Sequence, residues 1–196
     1  LLTQGTVTYT VVATANGCSG SSASSTILIN PNPVVTAIPP VSVCSGQSIG
    51  AFNFTSTPAS ATYTWSNSNT NVGLSANGVG NISSWVAPAN LSGGPYVSTV
   101  SVIPTLNGCV GPASNFTITV NPTPTLTVNP QTATICSGVA INLNCLSNVA
   151  SATFSWVTAA TNVTGASNGS NGNGSIQIIQ TLTNSGTSVG NVSYTI

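Results

Sequence analysis

No side chain in this sequence carries a charge at neutral pH. Asp, Glu, Lys, Arg and His are all absent, as is Met. An ordinary soluble domain is about a quarter charged, so the absence belongs to the sequence as a whole. General acid–base chemistry needs a His, a carboxylate, a Lys, a Tyr or a Cys near its working pKa. Only Cys and Tyr are present, and neither has a basic partner. A Ser, Thr or Cys nucleophile needs an adjacent base to activate it. No catalytic residue is therefore assigned, and the chain is not expected to be an enzyme. Zinc and calcium sites draw on His, clustered Cys or carboxylates, so neither a metal site nor a cofactor site is expected. Nucleic-acid affinity comes from Lys and Arg on phosphates, and attraction to anionic membranes has the same source. Neither partner is expected. Lysine–asparagine isopeptide cross-links are excluded for want of Lys.

Long hydrophobic runs are missing too. A spanning helix needs about 20 apolar residues, whereas stretches such as Ile176 to Ile179 are only strand-sized. No transmembrane segment is read. Helix-forming runs at helical spacing are also lacking. Near-zero net charge removes colloidal repulsion and favours association.

What the sequence does contain is a repeat, which takes precedence over any local reading. Asn16-Gly17-Cys18 returns as Asn107-Gly108-Cys109, and Asn30-Pro31-Asn32-Pro33 as Asn121-Pro122-Thr123-Pro124. Val43-Cys44-Ser45-Gly46 returns as Ile135-Cys136-Ser137-Gly138, and Ala61-Thr62-Tyr63-Thr64-Trp65 as Ala152-Thr153-Phe154-Ser155-Trp156. The offset from Asn16 to Asn107 is 91 and from Cys44 to Cys136 is 92. That period is domain-sized and too long for a solenoid. It divides the chain into residues 1–30, the C-terminal hairpin of a preceding repeat; 31–121, one complete repeat; and 122–196, the front of a following repeat lacking its last strand.

Alternation dominates locally, as in Thr6-Val7-Thr8-Tyr9-Thr10-Val11 and Phe116-Thr117-Ile118-Thr119-Val120. A period of two, rich in Thr, Val and Ile, reads as half-buried strands. In the complete repeat it predicts strands near 34–38, 41–44, 48–56, 61–67, 71–76, 81–87, 95–105 and 112–120. Asn107-Gly108 predicts a tight hairpin. Trp65 and Tyr63, two apart, share one face of their strand, and Trp65 and Trp156 are expected in the core. The fold class is all-β: tandem antiparallel β-sandwiches of about 91 residues. The Asn-Pro-x-Pro linkers are short, and their prolines restrict φ, which predicts a stiff array.

Taken together, the Val-Cys-Ser-Gly-Gln start, the Tyr-Thr-Trp strand, the Thr-x-Asn-Gly-Cys hairpin and the Val-Asn-Pro-Thr-Pro linker carry a resemblance. They are similar to the Ig-like or PKD-like tandem repeats of giant Bacteroidota cell-surface adhesins, the SprB-like gliding-motility proteins and others exported by type IX secretion. The resemblance covers essentially the whole chain. It implies an extracellular, cell-surface location and a filamentous or adhesive role. Such repeats ordinarily retain some Asp and Lys, which this chain lacks.

Five cysteines in a secreted type of sequence suggest disulfides. Cys44 and Cys136 are equivalent, as are Cys18 and Cys109. Two pairings stay open: Cys44 with Cys109 inside the complete repeat, or a bridge across a junction between repeats. Reduced thiols are the third arrangement. Cys145, whose counterpart is Phe54, is expected to be a free, buried thiol. Triplets such as Asn53-Phe54-Thr55 and Asn115-Phe116-Thr117 match the glycosylation pattern, but they fall in predicted strands and are not assigned. Trp85 has no aromatic equivalent in the later repeat and is the one candidate for stacking on a sugar.

The two ends also resemble each other: Gly190-Asn191-Val192-Ser193-Tyr194 echoes Gly5-Thr6-Val7-Thr8-Tyr9. Two readings follow. In one the chain is a window of a longer array. In the other, residues 1–30 of one chain complete the open sandwich of the next, head to tail. The expected partners are neighbouring copies of the same repeat, in tandem or in a fibre. The expected function is a structural spacer in a surface filament or adhesin stalk; the alternative is a carbohydrate-binding module that meets surface glycans.

Overall fold

Alternating Thr/Val segments become strands wherever a second segment of the same period lies opposite. The computed structural model describes residues 3–171 and 173–196. Among them there is no α-helix, and the ladders β1–β2, β7–β10, β10–β12, β13–β14, β14–β17 and β15–β18, whose ranges follow, are antiparallel. β1 (Gly5–Ala15) and β2 (Cys18–Ile29) form the first hairpin. The complete repeat contributes β3 (Val34–Val35), β4 (Val41–Cys44), β5 (Ser48–Ile49), β6 (Ser56–Thr57), β7 (Thr62–Asn67), β8 (Asn77–Val79) and β9 (Trp85–Val86). It continues with β10 (Tyr96–Leu106), β11 (Cys109–Val110) and β12 (Ser114–Asn121). The remainder holds β13 (Leu126–Asn129), β14 (Ala140–Ser147), β15 (Phe154–Thr161), β16 (Gly169–Asn171), β17 (Ser175–Thr181) and β18 (Asn191–Thr195).

The strands gather into two compact units: residues 1–88 with 96–120, and residues 89–95 with 121–196. In the first unit the main sheet runs β4-β12-β10-β7-β8, with β11 attached to β10. The second layer is made of short ladders, β3 with β6 and β5 with β9, and a bridge between Phe52 and Ile82. The core between the layers is built from alternate residues: Val100 and Val102 of β10 and Phe116, Ile118 and Val120 of β12 meet Val35, Ile49, Phe54 and Ile82. The intervening Thr side chains keep β-propensity while facing outward. A buried polar knot interrupts this apolar layer: Ser98 Oγ donates to Asn67 Oδ1, and Asn67 Nδ2 donates to the Leu74 carbonyl at 2.8 Å.

In the second unit β13-β14-β17 faces β16-β15-β18 across Ile141, Leu143, Cys145, Phe154 and Ile178. The segment 89–95 groups with these strands. Asn148 ties it in, donating through Nδ2 to the Leu91 carbonyl at 3.1 Å while Oδ1 accepts the Thr125 N–H at 2.7 Å.

The Asn107-Gly108 hairpin is present, with φ of 49° and 79°, the left-handed pair of a type I′ turn. The Asn16-Gly17 turn repeats it at the same angles. Four expected strands differ: that over 34–38 forms only at Val34–Val35, and that over 81–87 only at Trp85–Val86 with a bridge at Ile82. Residues 71–76 are not a strand: Asn69 Oδ1 accepts the Asn71 N–H at 3.0 Å and caps a 3-10 turn, Thr70–Val72, closed by Gly73 at φ 88°. A short polar side chain that offers the backbone a local bond competes with the ladder. The stretch 48–56 is broken in two rather than continuous, because Phe54 N–H is taken by the Asn81 side chain at 2.9 Å.

Trp65 and Trp156 are partly buried and pack against the two cores. Each lies directly opposite a glycine on the neighbouring strand: Trp65 faces Gly78, and Trp156 faces Gly169. Both pairs follow the 91-residue offset. The indole lies over the bare backbone, so a Cβ on Gly78 would come within 2.6 Å of Trp65 Cε2, and one on Gly169 within 2.8 Å of Trp156 Cε2. The indole N–H groups differ. Trp156 Nε1 donates to the Ser167 carbonyl at 3.1 Å, whereas that of Trp65 is buried without a partner. Overpacking a filled site costs about 1–3 kcal/mol. Gly78→Ala and Gly169→Ala are each expected to destabilise their unit by that amount in urea denaturation. Gly50→Ala, which meets nothing within 4 Å, is expected to stay within about 0.5 kcal/mol of the parent.

Candidate functional site

A cleft of about 1240 Å³ opens in the second unit, lined by Leu126, Val128, Ile141, Leu143, Leu182 and Tyr194 among others. Its rim is β18, which pairs with β15 on one side and forms the edge of its sheet on the other. The register sets Ala160 opposite Val192 and Thr158 opposite Tyr194. Tyr194 lies half-buried, and its hydroxyl donates to Gln180 Oε1 at 2.9 Å. Burial pushes the Tyr194 phenol above its ordinary pKa.

At the equivalent place in the first unit stands β12. There β12 lies between β10 and β4 and buries Phe116, Ile118 and Val120. In the second unit no described strand pairs with the outer edge of β18. The segment 133–136, equivalent to β4, is correspondingly in no ladder.

The hairpin β1–β2 is the reverse case. Every residue of β2, and every residue of β1 except Gly5, is exposed. Its register, with Val7 opposite Ile27 and Tyr9 opposite Ser25, reproduces that of Ser98 with Ile118 and Val100 with Phe116. Yet Tyr9 is 57 %, Val11 66 %, Ile27 50 % and Ile29 55 % exposed, whereas Val100, Val102, Ile118 and Val120 are each at 0 %.

The five cysteines are free thiols, so neither disulfide pairing expected from the sequence is present. Cys44 closes β4 at the Ser45–Gly46 turn and is exposed; Cys136 is exposed at the equivalent turn. Cys18 sits opposite Ala15 beside its hairpin tip and is exposed, and Cys109 sits opposite Leu106, half-buried. Cys145 is completely buried between Leu143 and Phe154 in the core cluster, and burial raises its thiol pKa. Trp85 is half-buried rather than displayed. Its Nε1 donates to the Val72 carbonyl at 3.0 Å, and its ring packs near Phe52 at 6.2 Å between centroids. Among the described residues no three potential metal ligands cluster.

Residues 133–196 match the PKD-like domain family, so the chain carries a PKD-like domain over its C-terminal third. Such domains are typically extracellular repeat modules and usually non-catalytic. No curated protein matches the chain. Among the described residues no helix is long and apolar enough to cross a membrane.

Two outcomes follow from the titratable groups. A thiolate, not a thiol, reacts with disulfide reagents, so the native protein is expected to show the exposed thiols reacting promptly. Cys145 should react only after denaturation, as mapped by mass spectrometry of the alkylated peptides. Acid unfolding is mostly the protonation of paired carboxylates and the charging of buried histidines, and this chain has neither. Cys145 and Tyr194 have raised pKa values in the folded state. Their contribution is therefore complete below their ordinary values and is lost as pH rises through and beyond them. The melting temperature should be flat from about pH 3 to 8 and fall only on the alkaline side, by calorimetry.

Proposed function

We propose that this chain is a structural spacer of an extracellular surface filament or adhesin stalk, with neighbouring copies of the same repeat as its partners. One observation carries the reading: the same cross-strand Trp–Gly pair recurs 91 residues apart, each time in a sandwich held by antiparallel ladders. Repetition of an internal packing device with no polar constellation at its surface is what a load-bearing module needs. The PKD-like domain over 133–196 supports the same reading, as does the lack of any His, carboxylate or Lys in the sequence. The force is borne by backbone hydrogen bonds, each worth about 1 kcal/mol net, acting cooperatively with the buried cores. The short prolines-containing linkers limit slack between repeats.

Single-molecule pulling from the two ends tests this. The expected record has separate force peaks, each releasing roughly 25 nm as some 70–80 residues extend at about 3.5 Å apiece. Extension without resolved peaks would contradict a mechanical role. A saturable glycan-binding signal that disappears in Trp85→Ala would replace it with a carbohydrate-binding one.

A further inference from the structure

We infer that the tip of the β10–β11 hairpin, Asn107-Gly108, is a site of spontaneous self-modification: the Asn107 side-chain amide is lost in water, which places a negative charge on a chain that otherwise has none.

The chemistry needs no catalytic side chain. Asparagine is a thermolabile residue, and most so where glycine follows it, because no Cβ screens the next amide nitrogen. The Gly108 nitrogen gives up its proton to water and attacks Asn107 Cγ. A C–N bond forms, the side-chain nitrogen leaves as ammonia, and a five-membered imide remains. Water then opens the ring at either carbonyl, giving aspartate or its β-linked isomer. Nothing is oxidised or reduced; one water is consumed and one ammonia released. The new carboxyl ionises with a pKa of about 4, so it is charged at neutral pH.

Six Asn-Gly pairs occur in the sequence, at 16–17, 77–78, 107–108, 168–169, 171–172 and 173–174. As dipeptides they are equals, and the fold separates them. The attack brings the glycine nitrogen onto the asparagine Cγ, so the local backbone must rotate. Asn77-Gly78 lies in a ladder, with Asn77 opposite Ser66 and Gly78 opposite Trp65. Gly78 is half-buried under the indole, so rotation there must break the ladder and lift the ring. Asn168-Gly169 is held more firmly. Gly169 lies under Trp156, and Asn168 Oδ1 accepts both the Thr158 N–H at 2.7 Å and the Thr158 hydroxyl at 3.1 Å. Gly174 is buried, and its N–H donates to the Ala152 carbonyl at 2.9 Å. The pair at 171–172 includes a residue outside the described ones.

Asn107-Gly108 is the opposite case. Both residues are exposed, and nothing lies within 4 Å of the place a Cβ on Gly108 would take. The ladder stops at Leu106 and Cys109, so rotation at the tip disturbs the turn alone. Opening free energies run from near zero at mobile loops to the global value in core strands. The Trp–Gly pairs therefore have a second consequence: they shield the reactive dipeptides of the strands and leave the hairpin tip to age. A charge gained there adds repulsion to a chain whose neutrality otherwise favours association.

The test uses the full polypeptide, incubated folded at neutral pH and body temperature beside a second sample in concentrated urea. Chymotryptic peptides, needed because the chain offers trypsin no Lys or Arg, are assayed by mass spectrometry for conversion at each asparagine. In urea, Asn77, Asn107 and Asn168 should convert at similar rates. In the folded protein Asn107 should convert about tenfold or more faster than Asn77 and Asn168. Asn107 that stays intact in the folded protein while it converts in urea would overturn the inference. So would equal conversion at all three positions of the folded protein. Neither result bears on the spacer reading, which the force record tests.

Discussion

Without a single formal charge, the chain has only neutral hydrogen bonds and apolar burial with which to hold itself together, and strand pairing is where the two coincide. A backbone N–H or C=O left buried and unpaired costs about as much as a lost hydrogen bond. In most proteins Lys or Glu on an edge strand keeps foreign strands away. Here no such residue exists, so an edge is either paired or available. The first unit meets the constraint by running β12 between β10 and β4. In the second unit β18 stands at the edge of its sheet, beside a cleft of mixed polar and apolar lining.

The same constraint explains the internal polar features. Asn is the working residue of this sequence because it can both donate and accept without a charge. Asn67 satisfies the buried Ser98 hydroxyl, Asn69 caps the 3-10 turn, Asn81 takes the Phe54 N–H, and Asn148 fastens the 89–95 segment. Where the backbone takes a left-handed turn, Asn-Gly makes it, as at 16–17 and 107–108. The Trp–Gly pairs complete the scheme: a large ring covers backbone that would otherwise be exposed across the ladder.

Much of this was legible in the residues. Alternation in β10 and β12, the Asn-Gly hairpins and the 91-residue period are all local signals, and each corresponds to a feature of the fold. The exceptions have physical causes. The strand expected over 71–76 has apolar residues at the right spacing, Val72 and Leu74, and both are indeed buried; the Asn69 side chain nevertheless diverts the backbone into a turn. The tryptophans read as core residues from their strands alone, but their glycine partners lie 13 residues away on another strand, a pairing that periodicity does not encode. Sequence equivalence left the cysteine pairing open because it says nothing about which turns meet in space. The echo between residues 5–11 and 190–196 was visible from the start.

The central claim is that neutral strand pairing and apolar burial hold the two cores together without help from charge. Calorimetry at two ionic strengths tests it most directly. The account predicts the same melting temperature in about 0.01 M and about 0.15 M salt, although the screening length falls from about 30 Å to about 8 Å. A shift of several degrees between the two would contradict it.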